Sequence, residues 1–364
     1  MKKYLVHVFV LLILLLGAAA VWVVYDTLTA DKTTGLPFEI PEGRYDCFMV
    51  LMHNVIVTSS GFPKPLDARG EFPLPPKPTY EETRRVLDFD FHVGLYHDDK
   101  TFARFAAQEA FRRIEEIASL VNLERPDSEL SKINREAADH PVELSAELYF
   151  VLKRAREVSM YSAGAFDVTS SPLRWMWEHY AAQDEMPPAA KIREIQALVD
   201  WRGVKIDDKK RTITLAKKGM IVELHDIIRG FCMDQAVREL KRQGMHKGFV
   251  RTGDSRQLMD HPEGRTFIIG IPDGRAQLKY TFESDRPAVV TKGYYTGYKF
   301  IGNTIASGIV DPISGRCVGS VGSCTVVGPD AMTCDALATA LCVMGGSKAT
   351  RFIAHFNPRE EQPE

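Results

Sequence analysis

The chain opens with an apolar run from Tyr4 to Tyr25, broken only by His7 and preceded by Lys2 and Lys3. The run has no polar face and is near the length that spans a hydrocarbon core, so it predicts an export segment rather than a buried helix. Ala18, Ala19 and Ala20 offer a cleavage site, but the length favours an uncleaved signal anchor over 1–25. The paired lysines place the body of the protein on the periplasmic, extracytoplasmic side of a cell inner membrane. Residues 26–88 are rich in breakers such as Pro63, Pro65, Pro73, Pro75, Pro76 and Pro78. They predict a proline-rich linker or extension with one short strand over 48–57.

Alternation over 88–95 predicts the first strand of a folded domain spanning 89–356, with a short tail at 357–364. Phe102, Phe105, Ala106, Ala110, Phe111, Ile114, Ile117, Ala118 and Val121 then recur at helical spacing. Further helices are expected over 145–162, 188–199, 227–243 and 332–344, with Gly244 as the C-cap of the third of these. Strands are expected over 204–206, 212–215, 220–224, 246–251, 266–271, 288–290, 298–301 and 326–327. Helices and strands mix without regular βαβ alternation, which predicts the α+β class.

Composition narrows the function. The chain has 364 residues, with 46 Lys and Arg against 48 Asp and Glu and a net charge of −2, so no basic excess recruits nucleic acid. The six cysteines show no CxxC or metal-ligand spacing and read as small apolar residues, although Cys317 and Cys324 are close enough across a hairpin to pair. His53, His92, His97, His225 and His246 form no HxH or HExxH pattern. The absence of a G-x-S-x-G elbow and of a G-x-x-x-x-G-K-[ST] loop argues against hydrolase and P-loop readings.

Four stretches carry candidate chemistry. Gly164 to Leu173 offers Asp167, Thr169 and Ser170 to a turn or to a polar ligand. In Pro126 to Asn134, Asp127 or Ser128 suits the cap of a short helix. Asp335 and Thr339 sit four apart at the start of the last helix and share a face. Their two oxygens suit Mg2+, or else complement the helix dipole and bond back to a carbonyl. In Val222 to Gly230 a strand passes into a helix, where His225, Asp226 and Arg229 meet a phosphate or Asp226 serves as an N-cap.

In this order the stretches resemble the ApbE family, the FAD:protein FMN transferases. The resemblance covers roughly 90–350 and rests on PDSELSKIN, GAFDVTSSPL, VELHDIIRG, GFVRTGDSR, AVVTKGYY, SGIVDPISGR and MTCDALATAL. It implies an α+β fold of the ApbE type, related to the T-fold, with mixed sheets and helices. It also implies a Mg2+-dependent enzyme that splits FAD, attaches FMN through its phosphate to a Thr or Ser of an acceptor protein and releases AMP. By the same resemblance Asp335 and Thr339 are the catalytic, metal-binding side chains, Asp226 adds a metal contact through its carbonyl, and Ala165, Phe166, Asp167 and Arg229 bind the flavin nucleotide. A non-catalytic flavin-binding or membrane-anchored interaction homologue is the alternative.

Several positions depart from the family pattern. D-L-G-G-I-A-K-G reads Glu223-Leu224-His225-Asp226-Ile227-Ile228-Arg229-Gly230, and T-S-G-D reads Thr291-Lys292-Gly293-Tyr294. S-H-I-I-D-P reads Ser307-Gly308-Ile309-Val310-Asp311-Pro312, so Gly308 replaces the histidine that would act as a polar or acid-base partner. The glycine pair before an Asp becomes Thr252-Gly253-Asp254, and the usual Met-Gly-Thr that opens the domain has no clear equivalent.

Overall fold

The structure is a computed structural model that describes residues 45–51, 56–58, 64–65 and 76–356, apart from 263, 265, 273–277, 294–297 and 320. The anchor expected over 1–25 and the tail over 357–364 lie outside the described residues. Among the described residues no helix is long and apolar enough to cross a membrane.

The strands are β1 (Asp46–Leu51), β2 (Ile56–Thr58), β3 (Lys64–Pro65), β4 (Tyr80–Val86), β5 (Phe89–Leu95), β6 (Val142–Glu143), β7 (Val204–Asp207), β8 (Thr212–Leu215), β9 (Gly248–Thr252), β10 (Ser255–Leu258), β11 (Phe267–Pro272), β12 (Leu278–Ser284), β13 (Ala288–Lys292), β14 (Tyr298–Ile301), β15 (Thr304–Ser307) and β16 (Val321–Gly328). The helices are α1 (Lys100–Val121), α2 (Glu129–Glu136), α3 (Ala146–Tyr161), α4 (Ser171–Ala182), α5 (Ala189–Gln196), α6 (His225–Arg242) and α7 (Ala331–Phe356), the last broken at Gly345, where φ is 69°. The fold is α+β. Its main sheet has eight strands in the order β2-β1-β16-β13-β10-β9-β5-β4, all paired antiparallel.

The core lies between this sheet and the helices α1, α6 and α7. Helix α1 buries Ala103, Ala106, Ala107, Ala110, Phe111, Ile114, Ile117 and Val121, while Phe105 faces out at 50% exposure. Small residues on the buried stripe let the helix approach the sheet closely, and Asp99 caps its start by accepting from the amides of Thr101 and Phe102. A second apolar cluster packs Leu173, Met176, Trp177 and Ala181 of α4 against Ile301, Ala306 and Val310 at the β14–β15 hairpin.

The start of the folded unit is corrected. Residues 26–88 are not only a linker, because β1 enters the main sheet between β2 and β16, and β4 forms its far edge beside β5. Tyr45 is 1% exposed and donates its hydroxyl to Asp330 at 2.7 Å. The strand expected over 220–224 is also absent. Asn134 takes the backbone of Val222 at both ends, accepting its N–H at 2.7 Å and donating to its carbonyl at 2.9 Å, so no ladder partner remains. None of the six cysteines is in a disulfide; Cys317 Sγ rests against the Ser307 carbonyl and Cys324 is buried in β16.

Candidate active site

Two helices and one strand build the site because one glycine lets them meet. A Cβ at Gly230 of α6 would lie 2.2 Å from the carbonyl oxygen of Ala331, so only glycine admits the start of α7 at this distance. One turn along α6, the Asp234 carboxylate accepts the amides of Ala331 and Met332 at 2.8 and 2.9 Å and caps α7. This fixes Asp335, with no exposed surface, against α6 and the end of β13.

Asp335 is fully partnered there. Its Oδ1 accepts from Arg229 Nη2 at 2.6 Å and pairs with Lys292 Nζ at 3.1 Å, and its Oδ2 accepts the Gly230 amide at 3.2 Å. Lys292, only 10% exposed, also reaches Asp226 Oδ1 at 2.6 Å. One ammonium therefore bridges two carboxylates, and a guanidinium reinforces one of them. Burial alone would push the Asp226 carboxyl up, but the Lys292 ammonium, with His225 at 3.5 Å behind it, overrides burial and holds it well below the usual carboxylate range. Arg229 Nε is buried and meets no partner among the described residues.

His225, Asp226, Arg229 and Lys292 form one wall of an open cavity of about 660 Å3. Its other walls come from the β4–β5 turn at Asp88, Phe89 and Asp90, from Trp177 and Glu178 of α4, and from Lys299, Ser307 and Gly308 at the hairpin. The volume falls in the range of ligand pockets, roughly 300–1,000 Å3. The His225 ring packs against Phe89 with centroids 4.8 Å apart and the rings tilted by 38°. Trp177 is 2% exposed and is pinned by its indole N–H donating to the Gly315 carbonyl at 2.8 Å.

The residues expected from the sequence divide. Asp226 and Arg229 line the cavity. Ala165, Phe166 and Asp167 instead surround a recess of about 10 Å3 behind it, shared with Asp226, Gly308 and Thr339. The Asp167 carboxylate accepts from the Thr169 amide at 2.7 Å, the Thr169 hydroxyl at 2.6 Å and the Trp201 amide at 3.0 Å. It is therefore committed to the loop, and because burial outweighs these donors its carboxyl is raised. Thr339 donates to the Asp335 carbonyl at 3.2 Å, the back-bonded geometry of a helix interior. Asp226 does not cap α6; Glu223 accepts the His225 amide at 2.8 Å instead.

As packed, the side chains of Asp226, Asp335 and Thr339 do not fit Mg2+. A magnesium ion takes oxygens at about 2.0–2.1 Å in octahedral geometry. Here the two Oδ1 atoms already face Lys292 Nζ, and a dication beside that ammonium would meet roughly 8 kcal/mol of repulsion at 4 Å and an effective dielectric constant of 20. Among the described residues no group of three or more His, Cys, Asp or Glu side chains converges to hold a metal.

Comparison with known proteins agrees with this architecture. The profile of the ApbE family matches residues 87–361. The chain belongs to the ApbE family. A relative from Vibrio cholerae named FAD:protein FMN transferase is 29% identical over 244 residues, covering 65% of this chain and 72% of that protein. One of the same name from Haemophilus influenzae is 28% identical, covering 73% of this chain and 80% of that one. The crystal structure of the ApbE protein from Thermotoga maritima superposes with a TM-score of 0.66 at 26% identity, covering 73% of this chain and 86% of that one. The flavin transferase ApbE from Vibrio cholerae shares the fold at a TM-score of 0.65 and 24% identity, over 75% of this chain and 89% of that one.

Within this ApbE protein, Lys292 was visible in the sequence as a departure from the family pattern but not as a partner of Asp226 and Asp335, which lie 66 and 43 positions away. Phe89, Glu178 and Lys299 carried no signal of their own. Only the crossing of α6, α7 and β13, and the folding of α4 over the hairpin, brings them to one cavity.

Proposed function

We propose that this ApbE chain is an FAD:protein FMN transferase working in the 660 Å3 cavity. It splits FAD, attaches FMN through its phosphate to a Thr or Ser hydroxyl of an acceptor protein, and releases AMP. The observation that carries this reading is the convergence of Arg229 and Lys292 on one cavity wall, with a buried Arg229 donor still lacking an acceptor. A guanidinium and an ammonium suit a diphosphate, and an unmet buried donor costs stability until an anionic oxygen meets it. The Lys292 ammonium between Asp226 and Asp335 weighs against the Mg2+ dependence that the resemblance implies.

The acceptor oxygen bonds to the phosphorus on the flavin side as the bond to the AMP phosphate breaks, and the electron pair leaves with AMP. The hydroxyl proton passes to His225, which lines the cavity and is oriented by Asp226 and Phe89. Asp88, Asp90 and Glu178 supply acceptors for the hydroxyl-rich ribityl and ribose parts. The apolar run over 4–25 supports an anchored, extracytoplasmic protein whose acceptor lies in the same compartment.

Incubating the protein with FAD and an acceptor carrying a Thr or Ser flavinylation site, then weighing the acceptor by mass spectrometry, tests the reading. The expected result is an added FMN with equimolar AMP; an unchanged acceptor with no AMP refutes transfer. Gly308 favours a second reading, in which FAD is held without turnover. That protein would purify yellow and release no AMP.

A further inference from the structure

We propose that Lys292 is a tethered cation standing in for a divalent ion, so that this chain binds the diphosphate of FAD without one. The inference rests on the flavin-nucleotide reading of the cavity. Its geometry is independent of that reading: Nζ lies 2.6 Å from Asp226 Oδ1 and 3.1 Å from Asp335 Oδ1. Strand β13 ends at Lys292, so the ammonium is delivered from a sheet rather than a flexible loop. Two carboxylates are balanced by one ammonium and one guanidinium, which leaves no charge for a dication to neutralise. Lys292 also lines the cavity, so the ammonium that quenches the carboxylates meets an incoming phosphate oxygen on its other side.

The lysine acts by occupying the place, and removing it uncovers a site. In Lys292→Ser, Asp226 and Asp335 lose their shared counter-ion at a position where the family pattern carries a small hydroxyl. The two carboxylates then have the hard oxygen donors a divalent ion takes. Lys292→Arg keeps the charge and does not uncover the site.

Mn2+ binding followed by electron paramagnetic resonance, and FAD binding followed by fluorescence quenching, test this on the full chain, the wild type and both variants. The wild type should not bind Mn2+, and its FAD affinity should be the same in EDTA and in Mg2+. Lys292→Ser should bind Mn2+, lose at least about tenfold in FAD affinity in EDTA, the loss of one charge-assisted contact, and regain it in Mg2+. Lys292→Arg should behave as the wild type. Mn2+ binding by the wild type, or FAD binding by the wild type only with Mg2+, overturns the inference even if neither variant folds. Failure of the wild type to bind FAD under any condition refutes the flavin reading instead, while the Mn2+ measurements still decide what Lys292 does.

Discussion

Asp167 and Asp226 are both half-hidden or buried aspartates near the same recess, yet they are held in opposite ways. Asp167 is enclosed by a hydroxyl and two backbone amides, donors that cannot move without unfolding the loop, and burial leaves its carboxyl raised. Asp226 is held by the side chains of Lys292 and His225 rather than by backbone amides, and its carboxyl is depressed. The first arrangement belongs to the fold. The second can be rearranged by a ligand, because an incoming anion competes with carboxylates for the same ammonium. An acidic side chain in a recognisable motif therefore says little about chemistry until its donors are known.

The strongest way to break the contrast is to separate the helices that create the rearrangeable side. Gly230→Ala places a methyl group 2.2 Å from the Ala331 carbonyl, so α7 must shift. Urea unfolding should show a loss of about 3 kcal/mol, the upper part of the usual overpacking range. FAD affinity should fall with it, since the Arg229–Asp335 pair depends on this crossing.

The rearrangeable side can instead be sharpened by adding a proton-transfer group to the same cavity. A Cβ at Gly308 meets nothing within 4 Å, so Gly308→His should leave stability within about 0.5 kcal/mol. AMP release from FAD should rise by about 10²-fold, the low end of what a positioned acid-base group supplies. Chromatography of the nucleotide products checks this.

Asp167→Ala probes the fixed side. It strands the amides of Thr169 and Trp201, so denaturation should show a loss of about 2 kcal/mol. The ratio of FAD affinities measured in EDTA and in Mg2+ should not change.

The smallest effect separates the two aspartates by pH. A carboxyl depressed in the folded state contributes stability that is present above its unfolded value near pH 4 and lost as the pH falls below it. For Asp167, whose folded value is raised, stability is favoured at low pH and declines as the pH rises through that value. Asp226→Asn should therefore flatten the acid limb of the stability–pH curve below about pH 4, measured by thermal melts.

How much of this was legible in the sequence follows from which interactions are local. Periodicity placed α1 and α3 to within a residue or two, and Gly244 ends α6 at a φ of 88° as its C-cap position requires. Helix α4 escaped because its aromatic and methionine content hides the polar face, although Pro172 in its first turn was a usable start signal. Strand β4 was obscured by its charged sequence YEETRRV, natural for a sheet edge, and by the prolines before it. The motifs identified the family, but the counter-ion beside the expected metal set was hidden for a non-local reason. Lys292 neutralises Asp226 and Asp335 only once β13 has been laid beside α6 and α7.

The most direct test of that arrangement is a crystal of the full-length protein soaked in Mn2+ and measured at the manganese absorption edge. The account predicts no anomalous peak between Asp226 and Asp335, with Lys292 Nζ in clear density within hydrogen-bond distance of both. An anomalous peak ligated by Asp335 and Thr339, with Lys292 turned out into the cavity, would contradict it.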